Sequence, residues 1–99
     1  MAEQLEKNIE AASIRELKKL GAIDCYKLNG KGQRAKPDRL IIMPKGHCFF
    51  IEFKRPSGTV TELQAYEHKK LIGGGHAVYI CRSKEEAINA YKKEEGKLR

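Results

Sequence analysis

Apolar residues near the beginning of the chain recur every three or four positions. The stretch at 4–20, QLEKNIEAASIRELKKL, therefore predicts an amphipathic helix that ends before Gly21. The apolar run at 22–28 that follows predicts a strand. The predicted apolar stripe of the helix consists of Leu5, Ile9, Ala12, Leu17 and Leu20.

The middle of the chain predicts a β-hairpin. Apolar runs at 38–43 and 47–54 are separated by the tripeptide PKG, and Gly46 suits the positive-φ position that ends a hairpin loop of this length. Both faces of this hairpin are apolar, which favours a sheet covered by helices on each side. One predicted face carries Ile41, Met43, Phe49, Ile51 and Phe53, and the other carries Leu40, Ile42, Cys48 and Phe50.

The length of the PKG loop fixes which residues face each other across the hairpin. It places Met43 opposite His47 and, counting back, Asp38 directly opposite Glu52. Because side chains alternate along a strand, Asp38, Glu52 and Lys54 are then predicted to share one face. A loop shorter by one residue would put the two acids on opposite faces.

A helix, a strand and a second helix follow the hairpin. Thr61 and Gln64 have the spacing of a capping box and begin a helix that ends at the glycines 73–75. The run at 76–82 predicts a buried strand, and Ser83 then caps the last helix.

The last helix is expected to end near Lys93, with a frayed tail at 94–99. The complete predicted order is α-β-β-β-α-β-α. It indicates a single α/β domain over residues 1–99, with a mixed central sheet flanked by helices.

Positive charge exceeds negative charge along this chain. The 20 Lys and Arg residues against 13 Asp and Glu residues give a net charge of +7, which favours a polyanionic partner such as DNA. A basic surface kept for solubility is the alternative interpretation. The Gly-rich loop at 29–36 and its flanks hold much of the excess, in Lys27, Lys31, Arg34, Lys36 and Arg39.

The compartment is predicted from the N-terminus, the apolar runs and the cysteines. The first residues are charged and no apolar run approaches the roughly 18 residues that span a bilayer, so a soluble, cytoplasmic protein without a membrane partner is expected. Cys25, Cys48 and Cys81 form no metal-binding spacing and are predicted to be buried, reduced thiols.

The two facing acids of the hairpin suggest chemistry. Carboxylates about 5 Å apart on neighbouring strands repel each other, and a hard divalent cation such as Mg²⁺ would offset that repulsion. A bound cation polarises a phosphoryl oxygen and activates water, while a lysine such as Lys54 stabilises the charge that develops on phosphate. Asp38, Glu52 and Lys54 therefore fit phosphodiester hydrolysis. A half-buried salt-bridge cluster is the alternative.

The segment KPDRLIIMPKGHCFFIEFKR at 36–55 resembles the PD-(D/E)XK nuclease signature, with Pro37-Asp38 and Glu52-Phe53-Lys54 in its positions. The rest of the chain is similar to the virus-type replication-repair nuclease domain, VRR-NUC, of the free-standing phage or bacterial kind. That family has a helix with a Gln, then Leu, a Gly-rich turn and an apolar strand. Gln64, Leu71, Gly75 and Val78 fill those places.

The resemblance implies a role for each site residue. Asp38 and Glu52 would bind Mg²⁺ or Mn²⁺ together with the backbone carbonyl of Phe53, and Lys54 would be catalytic. Gln64 would orient the site, although capping its own helix is an alternative role that can coexist with this one.

An acid on the first helix would complete the site. Glu6 is preferred over Glu10 because it lies closer to the apolar stripe and fits the family's spacing to Ile9. The family usually has Gly where this chain has Ala35. His68 is not expected to be a ligand, although it lies one turn after Gln64 on the same predicted helix.

The resemblance further implies a restriction-endonuclease-like core and a metal-dependent DNA endonuclease. A homodimer that resolves four-way (Holliday) junctions, with a part in DNA repair, is the leading expectation. A structure-selective nickase or flap endonuclease and a non-catalytic DNA-binding accessory module remain as alternatives.

Overall fold

The computed structural model describes residues 3–28, 30 and 35–98. The predicted order of helices and strands is confirmed, and a short 3-10 turn at Pro44–Gly46 joins the second and third strands. The elements are α1 (Glu6–Leu20), β1 (Asp24–Lys27), β2 (Arg39–Ile42), β3 (Cys48–Phe53), α2 (Glu62–Gly73), β4 (Val78–Cys81) and α3 (Lys84–Gly96).

The strands form one mixed sheet in the order β1-β2-β3-β4. β1, β2 and β3 pair antiparallel, whereas β3 and β4 are parallel. A parallel pair needs a crossover connection, and α2 with its flanking turns supplies it. β1 and β4 are therefore the edge strands.

The hairpin has the predicted register. Arg39 pairs with Ile51, so the preceding Asp38 and the following Glu52 stand opposite each other. The PKG tripeptide forms the turn and places Gly46 at φ 73°, the left-handed conformation that glycine adopts readily. The predicted three-residue connection is therefore confirmed.

One side of the hairpin, here called the core face, is fully covered. α1 and α3 contribute Ile9, Leu17 and Tyr91 to the cluster that packs on it. The predicted apolar stripe on α1 was wrong at both ends. Leu5, the N-cap residue, and Leu20, the last residue of the helix, are exposed. The side chains of the core face are Ile41, Met43, Phe49, Ile51 and Phe53, all buried.

The other side, here called the acidic face, carries Asp38, Glu52 and Lys54 and is only partly covered. Phe50 is half-buried there, and Cys48 at the beginning of β3 is exposed. The prediction that Cys48 is buried was therefore wrong, since its side chain is open to solvent at the first position of β3. The other two cysteines, Cys25 and Cys81, are buried as predicted.

The C-terminal helix is longer than predicted. α3 continues to Gly96 instead of ending near Lys93, so the predicted frayed tail was wrong through that residue. The side chain of Glu94 is buried and bonded, which holds the last turns of the helix against the sheet. No helix in the described part of the chain has both the length and the apolar character needed to cross a bilayer.

Candidate active site

Three carboxylates from separate parts of the chain converge at the edge of the acidic face. Glu6 lies at the beginning of α1, Asp38 just before β2, and Glu52 near the end of β3. One oxygen from each side chain lies within 4.8 Å of the others. Glu6, Asp38 and Glu52 are called the acid cluster below.

Asp38 is held by the neighbouring strand. Its Oδ2 accepts a hydrogen bond of 2.6 Å from the backbone N–H of Phe53. Burial raises the pKa of the Asp38 carboxyl, while the hydrogen bond from Phe53 and the charge of Lys54 oppose that rise. The carboxylate therefore has a fixed orientation at a considerable desolvation cost.

Glu52 has the most perturbed carboxyl of the acid cluster. Burial, and next the negative charge of Asp38, raise its pKa from 4.5 to about 8. Near neutral pH, Asp38 and Glu52 therefore retain a proton unless positive charge replaces it. The Oε1 atom of Glu52 is buried and has no hydrogen-bond partner among the described residues. This donor set, made of oxygen atoms with excess negative charge, fits a hard divalent cation.

Gln64 caps its own helix and also contacts the acid cluster, while its part in orienting the site stays a prediction. Its Oε1 accepts the backbone N–H of Thr61 at 3.0 Å, while Thr61 Oγ1 accepts the backbone N–H of Gln64 at 3.1 Å, so the capping box is confirmed. The Nε2 of the same side chain donates to Glu52 Oε2 at 3.3 Å. The N-terminus of α2 is thereby tied directly to the acid cluster.

Lys54 provides the positive charge of this region. Its side chain is buried, and its charge counteracts the rise in pKa that burial causes in Glu6, Asp38 and Glu52. Its backbone N–H donates to the carbonyl of Cys81 at 3.0 Å, which fixes the end of β3 to β4. The acids and the lysine predicted to share a face therefore do lie together.

The structure distinguishes the two acids of the first helix. Glu6 belongs to the acid cluster, whereas Glu10 accepts a hydrogen bond of 2.6 Å from Arg39 Nε. Arg39 also donates through Nη1 to the carbonyl of Cys25 at 2.9 Å. Glu10 is therefore neutralised by a half-buried ion pair and is not free to join the cluster. Direct cation binding by Glu6 stays a prediction.

The other predicted site residues are less constrained by the structure. Lys27 at the end of β1 and Lys36 before the Pro-Asp pair are exposed. Lys31 and Arg34 lie outside the described residues. DNA contact by these residues and Arg39, and cation binding by the Phe53 carbonyl, stay predictions.

The chain enters the Pro-Asp pair through a strained residue. Ala35 has φ 69°, in the left-handed region that a side chain with a Cβ rarely adopts. Glycine adopts this conformation without that cost, which accounts for the glycine expected at this place from the family resemblance. Ala35 nevertheless keeps the conformation.

Sequence reasoning did not assign a role to His68, which the structure places inside the site. It is buried on α2, and its Nε2 lies 3.5 Å from Glu52 Oε1. Burial lowers the pKa of this imidazole, which favours the neutral ring. The one available sequence signal was its spacing of four residues from Gln64, which puts both side chains on one side of the helix.

The fold and the site together define a class. A mixed four-stranded sheet flanked by helices brings a Pro-Asp pair just before one strand against an E-x-K sequence at the end of the next, as in restriction-endonuclease-like proteins. A solved structure described as "VRR_NUC domain" shares this fold, with a TM-score of 0.77 and 24% sequence identity over 88% of this chain and 94% of that one.

Comparison of sequences gives the family. A protein of Acyrthosiphon pisum secondary endosymbiont phage 1, described as "Putative nuclease p44", is 38% identical over 80 residues, which cover 81% of this chain and 85% of that protein. No family model matches the chain. On the shared fold and this relative, the chain belongs to the VRR-NUC family.

Proposed function

We propose that this protein is a nuclease that hydrolyses DNA phosphodiester bonds with a divalent metal ion. The observation that carries the proposal is the convergence of three carboxylate oxygens within 4.8 Å of one another. An unneutralised cluster of this kind in a buried position is costly, and the raised pKa of Glu52, about 8, is consistent with that cost. The nuclease description of the phage relative supports the same chemistry.

Each residue of the site has a part in the proposed reaction. Asp38 and Glu52 would hold Mg²⁺ or Mn²⁺ together with the Phe53 carbonyl, and Glu6 would join them directly or through water. When bound, the cation supplies a polarised phosphate and a more acidic water. Lys54 stabilises the negative charge that develops on the phosphate.

Branched DNA cut by a homodimer is the specific form of the proposal. Paired cuts on two strands need two active sites, and the described residues of one chain contain one acid cluster. A symmetric dimer would present two such sites to a four-way junction. We place this activity inside the cell, in the repair or resolution of branched DNA.

The experiment that tests this proposal uses labelled four-way junctions, flaps and linear duplexes. The purified protein is incubated with each DNA in Mg²⁺, in Mn²⁺ and in EDTA. Paired, symmetric nicks in the junction that depend on the metal support the proposal. Cuts confined to flaps or to one strand would favour a flap endonuclease or a nickase, and tight binding without cleavage would favour an accessory DNA-binding module.

The basic surface has its own test. Lys27 and Lys36 are exposed, and with Lys31 and Arg34 they would contact phosphates beside the acid cluster. Each lost phosphate contact should lower the slope of log affinity against log salt by about 0.9. Replacing Lys27 and Lys36 by Gln should therefore flatten this slope, and an unchanged slope would place the DNA on another surface.

A further inference from the structure

Two buried polar atoms face each other beside the acid cluster. His68 Nε2 and Glu52 Oε1 lie 3.5 Å apart, and their side chains are 7% and 1% exposed. Neither atom has a hydrogen-bond partner among the described residues. A buried polar group left without a partner costs about 1–3 kcal/mol, so two that face each other call for an explanation.

The position of His68 follows from the same helix that positions Gln64. The two residues are one turn apart on α2, so their side chains point toward the same part of the sheet. Gln64 Nε2 donates to Oε2 of Glu52, and His68 Nε2 faces the other carboxylate oxygen. One helix, begun by the capping box at Thr61, thus presents a nitrogen to each oxygen of Glu52.

We propose that His68 is a positioning residue that fixes the orientation of Glu52 for binding a divalent cation. A shift of a few tenths of an ångström turns the observed contact into a hydrogen bond of ordinary length. The neutral imidazole would then donate from Nε2 to Oε1, leaving the remaining lone pairs of the carboxylate directed toward Asp38 and Glu6. The proposal rests on the metal-dependent function proposed above.

Orientation by a second hydrogen-bond donor is what a ligand in this position needs. A carboxylate held at one oxygen can still rotate, whereas one held at both has a single direction. Groups that fix a metal ligand in this way typically change metal affinity by 10- to 100-fold when they are removed. A histidine that only fills space would contribute to stability alone.

The test compares two kinds of replacement at His68. His68→Leu and His68→Met fill similar space without a donor, while His68→Gln carries an amide N–H₂ near the place of Nε2. His76→Leu is the matched control, because His76 is exposed and packs edge-to-face on Phe50 instead of facing the acid cluster. Mn²⁺ affinity is measured by calorimetry, and the melting temperature without metal is measured for each variant.

We expect His68→Leu and His68→Met to weaken Mn²⁺ binding by about 10- to 100-fold. His68→Gln should recover most of that loss, and His76→Leu should bind as the wild type does. Unchanged Mn²⁺ affinity in whichever apolar variant folds would overturn this inference alone, and a lowered melting temperature with it would identify a packing role. A wild-type protein that takes up no Mn²⁺ would overturn the proposed function as well.

Discussion

Two glutamates of this protein are equally buried and differ in everything that surrounds them. The side chain of Glu94, on the core face, receives hydrogen bonds from Tyr79 Oη, from His47 Nε2 at 2.8 Å and from Lys97 Nζ at 2.6 Å. Burial alone would raise the pKa of Glu94, but the hydrogen bonds from Lys97, Tyr79 and His47 outweigh it and hold that pKa below its ordinary value.

Glu52, on the acidic face, lies among acids. Its Oε2 accepts a hydrogen bond from Gln64, its carboxyl also shares a side-chain hydrogen bond with Asp38, and its Oε1 has no hydrogen-bond partner among the described residues. The charges of Asp38 and Glu6 lie nearby. Its pKa is raised to about 8 by burial and by Asp38. A fully bonded buried acid stabilises the fold, whereas one placed beside other acids destabilises it until a cation arrives. We infer that Glu94 is structural and Glu52 functional.

The largest expected effect is on the rate of DNA cleavage, which should fall in variants of the acidic face and stay nearly unchanged in a variant of the core face. Asp38→Ala and Lys54→Ala should lower the cleavage rate by about 10³-fold or more, since each removes a group of the proposed chemistry. Glu94→Gln, assayed at a temperature where it is folded, should cleave at nearly the wild-type rate. Rates are measured on labelled DNA under single-turnover conditions, with DNA affinity measured in parallel. Near-normal turnover by either alanine variant would refute the assignment.

The next largest effect is on the free energy of unfolding, which should change in opposite directions when Glu94 and Glu52 are replaced by Gln. Glu94→Gln should lower the free energy of unfolding by about 2–3 kcal/mol, because its charge-assisted partners lose their acceptor. Glu52→Gln should raise it by about 1 kcal/mol in metal-free protein at pH 8, because a buried repulsion is removed. Urea denaturation in EDTA gives both values. A loss of stability in both variants would show that the two acids are equivalent.

The pH dependence sharpens the same comparison. The pKa of Glu52 is raised from 4.5 to about 8 in the folded protein. The protonated side chain therefore contributes to the stability of the folded state, fully below about pH 4.5, and this contribution is lost as the pH rises toward 8. The pKa of Glu94 is lowered in the folded protein, so its ionised side chain contributes to the stability of the folded state above the ordinary pKa. This contribution is lost as the pH falls.

Metal-free wild type should therefore lose about 3–4 kcal/mol of stability between pH 5 and pH 8 through Glu52, because this interval lies almost wholly between the two pKa values. Glu52→Gln should flatten that decline, and Glu94→Gln should flatten the loss at acid pH. Urea denaturation from about pH 3 to pH 8 measures the loss of stability at acid pH and the decline toward pH 8. If stability declines equally steeply with pH in Glu52→Gln, a titratable side chain other than Glu52 causes the decline.

Much of the fold could be predicted from sequence because its signals are local. The tripeptide after Met43 sets the hairpin register, which brings Asp38 opposite Glu52. The spacing of Thr61 and Gln64 marks the beginning of α2. Turn length and helix capping depend on residues close in the chain, so they can be identified without knowledge of packing.

The rest depends on which elements cover each other, and sequence patterns do not show this. Glu94 looks like a solvent-facing residue in a charged tail, yet Tyr79 from β4 and His47 from the turn before β3 form hydrogen bonds with it. Cys48 lies in an apolar run, but nothing described covers it. The role proposed for His68 depends on its distance from Glu52, a residue on another element.

The most direct test of the account is calorimetry of Mn²⁺ uptake by the wild type and by Asp38→Asn, with Glu94→Gln as the control on the opposite face. We expect saturable binding by the wild type and by Glu94→Gln, and a loss of about 100-fold or more in affinity for Asp38→Asn. Equal binding by all three proteins, or no binding by the wild type with or without DNA, would contradict the account.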